Sequence, residues 1–413
     1  MSGGRVLPGA VRAALPLYAG QAVLLGSGFA LNAFLVAGPF RDDPERMARL
    51  TLLTQALQWI VVGMLLGLPA ALLRLLPARP AEAADLAATA RVAVGVVAVG
   101  VMAAVVALPA LAEAFLGDRE AALSFRLFGW RGVFLALTAL AVATLHAAGQ
   151  LGRKAAAESG DRVFILVLAT AGVLVAGFDG VVAGYVAGAA AGALLATTLA
   201  RTAVPRGGTF RPALLRDLLR VARPQLVLTV LETLRPFVVL RLATITIGDD
   251  ATGLLGTAIV FTLPLVALPE MAAQALFPRM LGPEGERAHV AGEHRSLLRE
   301  VALAGLPLLA LYGAAAAWLL PQAGTGRYAG AVGPLLALLP GVLAHGITAH
   351  TGYVLLVRDR LGRAAAASAV ALAATGVLAY LLLGRFGAVG GAAALSGALV
   401  LRAALFVAAA RRT

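Results

Sequence analysis

The chain contains no cysteine among its 413 residues. Disulfides and thiolate metal sites are therefore excluded. Charge is scarce too: 13% of residues are charged against 60% hydrophobic, and the mean hydropathy is +0.89. A soluble chain of this length needs far more polar surface, so most of this one must face lipid or other lipid-buried helices. Lysine is all but missing. Lys154 is its single instance, and arginine carries the cationic charge. Together with the alanine and glycine excess, this is the composition of a GC-rich bacterial genome. Aromatic side chains make up only 6%. There is no P-loop, no HExxH and no nucleophile elbow. His289 and His294, in a polar loop, are too few for a metal site. No catalysis, cofactor or bound metal is expected.

What is there is a series of apolar runs. Twelve windows are long enough to cross a bilayer: roughly 15–37, 48–73, 90–116, 122–147, 159–178, 180–200, 224–247, 252–277, 299–320, 329–356, 364–384 and 388–410. The first follows Arg5 and Arg12. It is longer than a secretory h-region and lacks its small-residue cleavage site, so it reads as a retained span. With the N-terminus in the cytoplasm, twenty-four cationic side chains fall on inner segments and eight on outer ones. Arg402 counts with Arg411 and Arg412 on the inner side. Arg235 and Arg241 lie within a span. This bias fits the positive-inside rule with both termini cytoplasmic. The net charge of +13 is then explained by loops facing anionic membrane lipids. Nucleic acid is not an expected partner.

The two halves resemble each other at a nearly constant offset. Asp42-Asp43 matches Asp249-Asp250, offset by 207. "LGRKAAAES" at Leu151 matches "LGRAAAASA" at Leu361, offset by 210. "FDGVVAG" at Phe178 matches "FGAVGGA" at Phe386, offset by 208. Each pair falls in the equivalent connection of its half. The expected fold is all-α: a polytopic membrane protein of about twelve transmembrane helices in two six-helix bundles. Residues 1–201 would form the N-terminal bundle, 202–223 a cytoplasmic linker and 224–413 the C-terminal bundle. Six spans is an even number, so both halves run the same way, related by an axis along the membrane normal. Such a pair implies a cavity between halves and alternating access.

The stretch "ETLRPFVVLR", Glu232 to Arg241, puts charge inside the seventh span. Arg235 lies near the midplane, and Arg241 about 9 Å further out. A charge at that depth is costly and persists only beside a wet cavity or a partner. Pro236 frees the carbonyl of Glu232 and biases Arg235 away from helical geometry, so a broken helix is expected. Two readings are open. Glu232 and Arg235 are three apart and can pair structurally, or Arg235 faces a cavity and meets an anionic substrate. Arginine suits phosphate because its planar guanidinium stays charged and donates several hydrogen bonds. Arg241 is either a second ligand or an interfacial residue.

Gln21 and Asn32 in the first span, and Gln55 and Gln58 in the second, either pack between helices or line the cavity and meet sugar hydroxyls. Arg126 and Arg131 read as interfacial anchors more than as an outer vestibule. Gly184, Gly188 and Gly192 form a small-residue stripe for close packing. Glu270 either carries a coupling proton or pairs with Arg235 from the neighbouring helix. His345 either titrates near neutrality, as a second coupling candidate, or packs through a hydrogen bond. His350 is more simply a packing residue.

The segment from Arg235 to Met280 then meets a family pattern: the acidic turn Asp249-Asp250, "GLLGTA" from Gly253 to Ala258, and "LFPRM" from Leu276 to Met280. It resembles the Wzx-type polysaccharide (O-antigen) flippases of the multidrug/oligosaccharidyl-lipid/polysaccharide (MOP, MATE-like) exporter superfamily. "HAAGQLGRKAAAES" after the fourth span and "RFGAVGGAAALSGAL" before the last resemble the same family. The resemblance implies twelve helices in two halves, cytoplasmic termini in the bacterial inner membrane, and charged cavities. The substrate it implies is a glycan on a polyprenyl pyrophosphate, handed on to polymerase or glycosyltransferase machinery. Many members carry an acidic residue in the seventh span where this chain has Arg235 and Arg241. Lipid II flippases of the superfamily usually have fourteen spans. The expected function is a flippase for a lipid-linked glycan or related envelope precursor. One alternative is a MATE-type multidrug antiporter, which would call for an acidic or aromatic cavity. Another is a membrane scaffold, which needs no midplane charge.

Overall fold

The structure is a computed structural model that describes residues 19–20, 23, 26–41, 43–116, 122–204, 207–280, 306–307, 309–322, 326–357 and 360–411. Eleven α-helices cover most of these. They are α1 Gly26–Ala37, α2 Pro44–Leu65, α3 Leu68–Ala78, α4 Ala83–Ala107, α5 Pro109–Leu116, α6 Ala122–Ala147, α7 Leu151–Ala200, α8 Pro212–Met280, α9 at residues 309–319, α10 Val332–Val357 and α11 Leu361–Arg411. No strand occurs among the described residues.

Three of these helices are too long for a bilayer. Fifty residues of α7, at 1.5 Å each, would reach about 75 Å, well over twice the hydrocarbon thickness. Each long helix therefore folds back on itself. The turn in α7 is at Ala176-Gly177, that in α8 at Gly248 and that in α11 at Gly387. With these turns every one of the twelve expected spans contains described helix. The second span is α2 with α3, and the third α4 with α5. Among the described residues, six helices are long and apolar enough to cross a membrane. Val99, Leu174, Val175 and Leu194 are exposed apolar side chains on such helices, as a lipid-facing surface requires. The protein is a multi-pass, all-α membrane protein.

The repeat is visible in the backbone. α6 and α10 are each 26 residues long, and their first residues are 210 apart. α7 and α11, of 50 and 51 residues, begin with the same separation. Gly177 turns at φ 59°, ψ −133°, and Gly387, again 210 residues on, at φ 58°, ψ −139°. That region of backbone space is open to glycine almost alone.

The described residues fall into two compact units. The first draws on Met1–Leu31, Ile60–Glu113 and Asp118–Leu226, the second on Asn32–Trp59, Ala114–Gly117 and Val227–Thr413. In the first unit the two arms of α7 lie against each other. A Cβ on Gly184, Gly188 or Gly192 would come within 2.3, 2.6 and 2.3 Å of Leu168, Ile165 and Asp161. The stripe is thus a seat for the opposite arm. Ala141, Leu145, Ala157 and Ala196 close the core between α6 and α7. The connection before α8 and the first turns of α8 fold onto this unit. Arg211 pairs with Asp85 at 2.8 Å, and Arg79 with Asp217 at 2.9 Å. The Asp217 hydrogen bond raises the Arg79 pKa further above its ordinary value.

The second unit includes a stretch from the first half of the sequence. Residues 32–59 pack here because Gly253 and Gly256 leave room for α2. Their missing Cβ atoms would sit 2.3 Å from the Pro44 carbonyl oxygen and 3.1 Å from Thr51 Oγ1. The fully buried Tyr328 hydroxyl donates to the Phe40 carbonyl at 2.7 Å. "GLLGTA" therefore has a packing role. Elsewhere in this unit Leu228, Leu355, Ala364 and Phe406 form one core, and Leu265, Leu309 and Val342 another.

Candidate functional site: buried arginines

The first arm of α8 passes through Arg235 and Pro236 without a break, and its only non-helical residue is Gly248. The expected break at Pro236 is absent. The preference of a pre-proline residue for extended backbone is a bias, which the packed neighbours of a helix override. The chain there is further tied by the Thr233 hydroxyl, which donates to the carbonyls of Thr229 and Val230 at 2.9 and 3.2 Å.

Leu228, Glu232, Arg235 and Val239 recur at intervals of four, three and four, so they form one stripe of α8. Val239 is fully buried, and a Cβ on Gly391 of α11 would lie 3.4 Å from it. Glu232 accepts a hydrogen bond from Nη2 of Arg402, also on α11. Arg402 was expected on the inner surface. It is only 4% exposed, because the turn at Gly387 carries the second arm of α11 back through the bundle. Its Nε donates to Ser368 Oγ at 3.1 Å and its Nη1 to Thr348 Oγ1 at 3.3 Å. Its guanidinium lies 4.6 Å over the Phe406 ring. One ion pair thus joins α8, α10 and both arms of α11. The sequence signal for it is an arginine in the middle of the apolar run "ALVLRAALFV".

The pair Glu232–Arg235 open from sequence is not formed. Arg235 is 3% exposed, and its Nε and Nη1 are buried with no hydrogen-bond partner among the described residues. Arg241 is half-buried on the same arm. Gln55 is buried and its Oε1 accepts nothing among the described residues, while Gln58 and Asn32 are half-buried. Gln55 shares a face of α2 with Trp59, whose ring meets Phe237 edge-on at 6.3 Å. Phe237 lies about 160° around α8 from Arg235, so the structure does not bring Gln55 to the cation. His345 is half-buried in α10, and its carbonyl accepts from Thr348 at 2.7 Å. Gln21 and the side chains of Glu270 and His350 lie outside the described residues.

The first unit holds a buried arginine too. Arg131, expected as an interfacial anchor, is 3% exposed. The helix α6 places it one turn from Phe128, and α7 supplies Tyr185. The guanidinium lies 4.3 Å over Tyr185 and 5.2 Å over Phe128, which shields it from lipid. Its Nε and Nη1 also donate to nothing among the described residues. Asp161, equally buried, is 3.9 Å from Arg162 through Oδ2, and its Oδ1 accepts nothing among the described residues. No group of three metal-ligating side chains occurs among the described residues. A cavity of about 750 Å³ between α10 and α11, lined by Pro340, Leu343, Ile347, Val400 and Val407 among others, has only apolar residues in its lining and no cationic side chain for an anion.

No protein-family profile matches the chain, nor does any curated protein sequence. Solved structures do. A MATE transporter, crystallised as a proline-to-alanine mutant, superposes with a TM-score of 0.76 at 16% identity, over 98% of this chain and 96% of that one. The chain has the fold of the MOP-superfamily transporters. The lipid II flippase MurJ, in an inward closed conformation, gives 0.74 at 12% identity, covering 97% of this chain and 87% of that one. A MOP-superfamily transporter from Pyrococcus furiosus, described as having a binding pocket of reverse polarity that suggests a different function, gives 0.73 at 14% identity over 98% and 95%.

Proposed function

We propose that this protein is a flippase that moves an anionic, lipid-linked oligosaccharide or related envelope precursor across the bacterial cytoplasmic membrane. It works by alternating access, with both termini cytoplasmic. The observation that carries this reading is Arg235: a guanidinium inside the membrane with two donor nitrogens unused among the described residues, and with Glu232, one turn away on the same helix, engaged by Arg402. A phosphate or pyrophosphate group supplies the missing acceptors and the counter-charge. The partner substrate is then a glycan on a polyprenyl pyrophosphate, delivered to polymerase or glycosyltransferase machinery. The MOP-type fold, which MurJ shares, agrees with this.

A second reading, multidrug antiport, is favoured by Asp161. A cationic drug needs a buried carboxylate with an unused oxygen, and Asp161 Oδ1 is one. One experiment separates the two. In cells lacking their own flippase, the chain restores glycan on the outer face, and Arg235→Ala abolishes this while the protein stays folded and inserted. Arg235→Lys keeps the charge but loses the planar set of donors, and recovers part of the activity. Export by a well-folded Arg235→Ala protein removes the anion reading. Extrusion of a cationic dye that is lost in Asp161→Asn establishes the antiporter instead.

A further inference from the structure

The stripe of α8 that carries Glu232 and Arg235 places the two side chains one turn apart, where opposite charges on a helix ordinarily meet. They do not meet here, because Arg402 holds the carboxylate. Arg402 is itself fixed from every side: Nη2 on Glu232, Nε on Ser368, Nη1 on Thr348, and the Phe406 ring against its face. Each of its three nitrogens is in use, whereas two of those of Arg235 have no partner among the described residues. The described cluster has two buried guanidiniums and one carboxylate. The other groups facing it, Ser368, Thr348 and the His345 carbonyl, are neutral. Whichever arginine the carboxylate neutralises, the other keeps a positive charge with no counter-charge among the described residues. In a medium of low dielectric that location decides where an anion is drawn.

The geometry points to Arg402 as a positioning residue for the substrate's anionic group. By claiming Glu232 it leaves the free charge, and the free donors, on Arg235. This rests on the anion reading above and adds to it a reason why Arg235 is available. Without Arg402, the carboxylate turns to Arg235 along its own helix and occupies the donors that a phosphate would use. Arg402 contributes no atom to the substrate.

The probe is inorganic pyrophosphate, added to the purified full-length protein in detergent. The readout is the pyrophosphate concentration giving half of the maximal thermal stabilisation, which reports the site. The melting temperature without pyrophosphate is recorded separately and reports the fold. Arg402→Gln, which keeps hydrogen bonds to Ser368 and Thr348, should require about tenfold more pyrophosphate or lose the response, since an internal carboxylate now competes for Arg235. The double variant Arg402→Gln with Glu232→Gln should return to within about twofold of the wild type, because no carboxylate remains to occupy Arg235. Arg402→Lys, which still holds Glu232 by charge, should stay near the wild type and serves where Arg402→Gln fails to fold. An unchanged midpoint in Arg402→Gln, or a double variant no better than that single one, overturns the positioning role alone. A Lys variant that loses the response while folded does so too. If wild type and Arg235→Ala respond alike to pyrophosphate, the anion reading itself falls, and the positioning role with it.

Discussion

Glu232 is the residue whose surroundings changed most between sequence and structure. Its neighbour on the helix is Arg235, yet its partner, Arg402, is 170 residues away. The consequence for stability follows directly. Glu232→Ala leaves Arg402 inside the bundle with only the uncharged Ser368, Thr348 and Phe406 ring against it. A broken buried pair costs about 3–5 kcal/mol, and the 30% exposure of the Glu232 side chain places this one near the lower end, about 3 kcal/mol. Thermal melting in detergent should show the loss. Adding Arg402→Leu should recover most of it, since a matched apolar pair avoids the desolvation of both charges. A melting point unchanged by Glu232→Ala would mean that the pair contributes nothing to the fold.

At the scale of the element, the deciding positions are glycines in the two helical turns of equal shape. Gly384 and Gly387 both lie on α11, and a Cβ at either would meet open space. Only Gly387 has positive φ, at 58°. Gly384→Ala should therefore stabilise by about 0.5–1 kcal/mol, because alanine loses less freedom in a helix. Gly387→Ala should destabilise by about 1–3 kcal/mol, from backbone strain alone. Opposite shifts in melting temperature from two substitutions three residues apart are the test. These turns were legible in the sequence as "GFDG" and "RFG" between apolar runs, though the match at offset 208 sets Gly387 against Asp179, two residues from its structural counterpart Gly177. The spans themselves were legible because hydropathy over twenty residues is a local property. The partners of buried charge were not. An arginine in the outer part of an expected span, such as Arg131, or past the middle of one, such as Arg402, reads as facing the membrane surface until the opposite helix is known. The aromatic shelter of Arg131 is built from Phe128 and from Tyr185, which lies on another helix. The chain likewise carried no sign that Gly253 and Gly256 seat residues from the other half of the sequence. A proline in a span, read as a break at Pro236, turned out to be held straight by its neighbours.

For the whole molecule, the arginine bias sets an orientation that labelling can read. The chain has no cysteine to remove, so single ones report cleanly. Phe210 and Asp249 are both exposed, on connections of opposite expected side. Phe210→Cys should be protected from an impermeant thiol reagent in intact cells, and Asp249→Cys should be labelled. The reverse pattern would invert the proposed direction of transport. The two arms of α7 join at a bend only two residues wide, Ala176 and Gly177, and Asp179 is the one charge near it. No hydrophilic loop is present there to be threaded across the bilayer on its own. During biogenesis the insertion machinery must then hold the first arm until the second has been synthesised, and release both sideways as one hairpin. The same holds for α11 about Gly387. Pausing synthesis between the two arms would strand a lone span whose glycine-facing side has nothing to pack on.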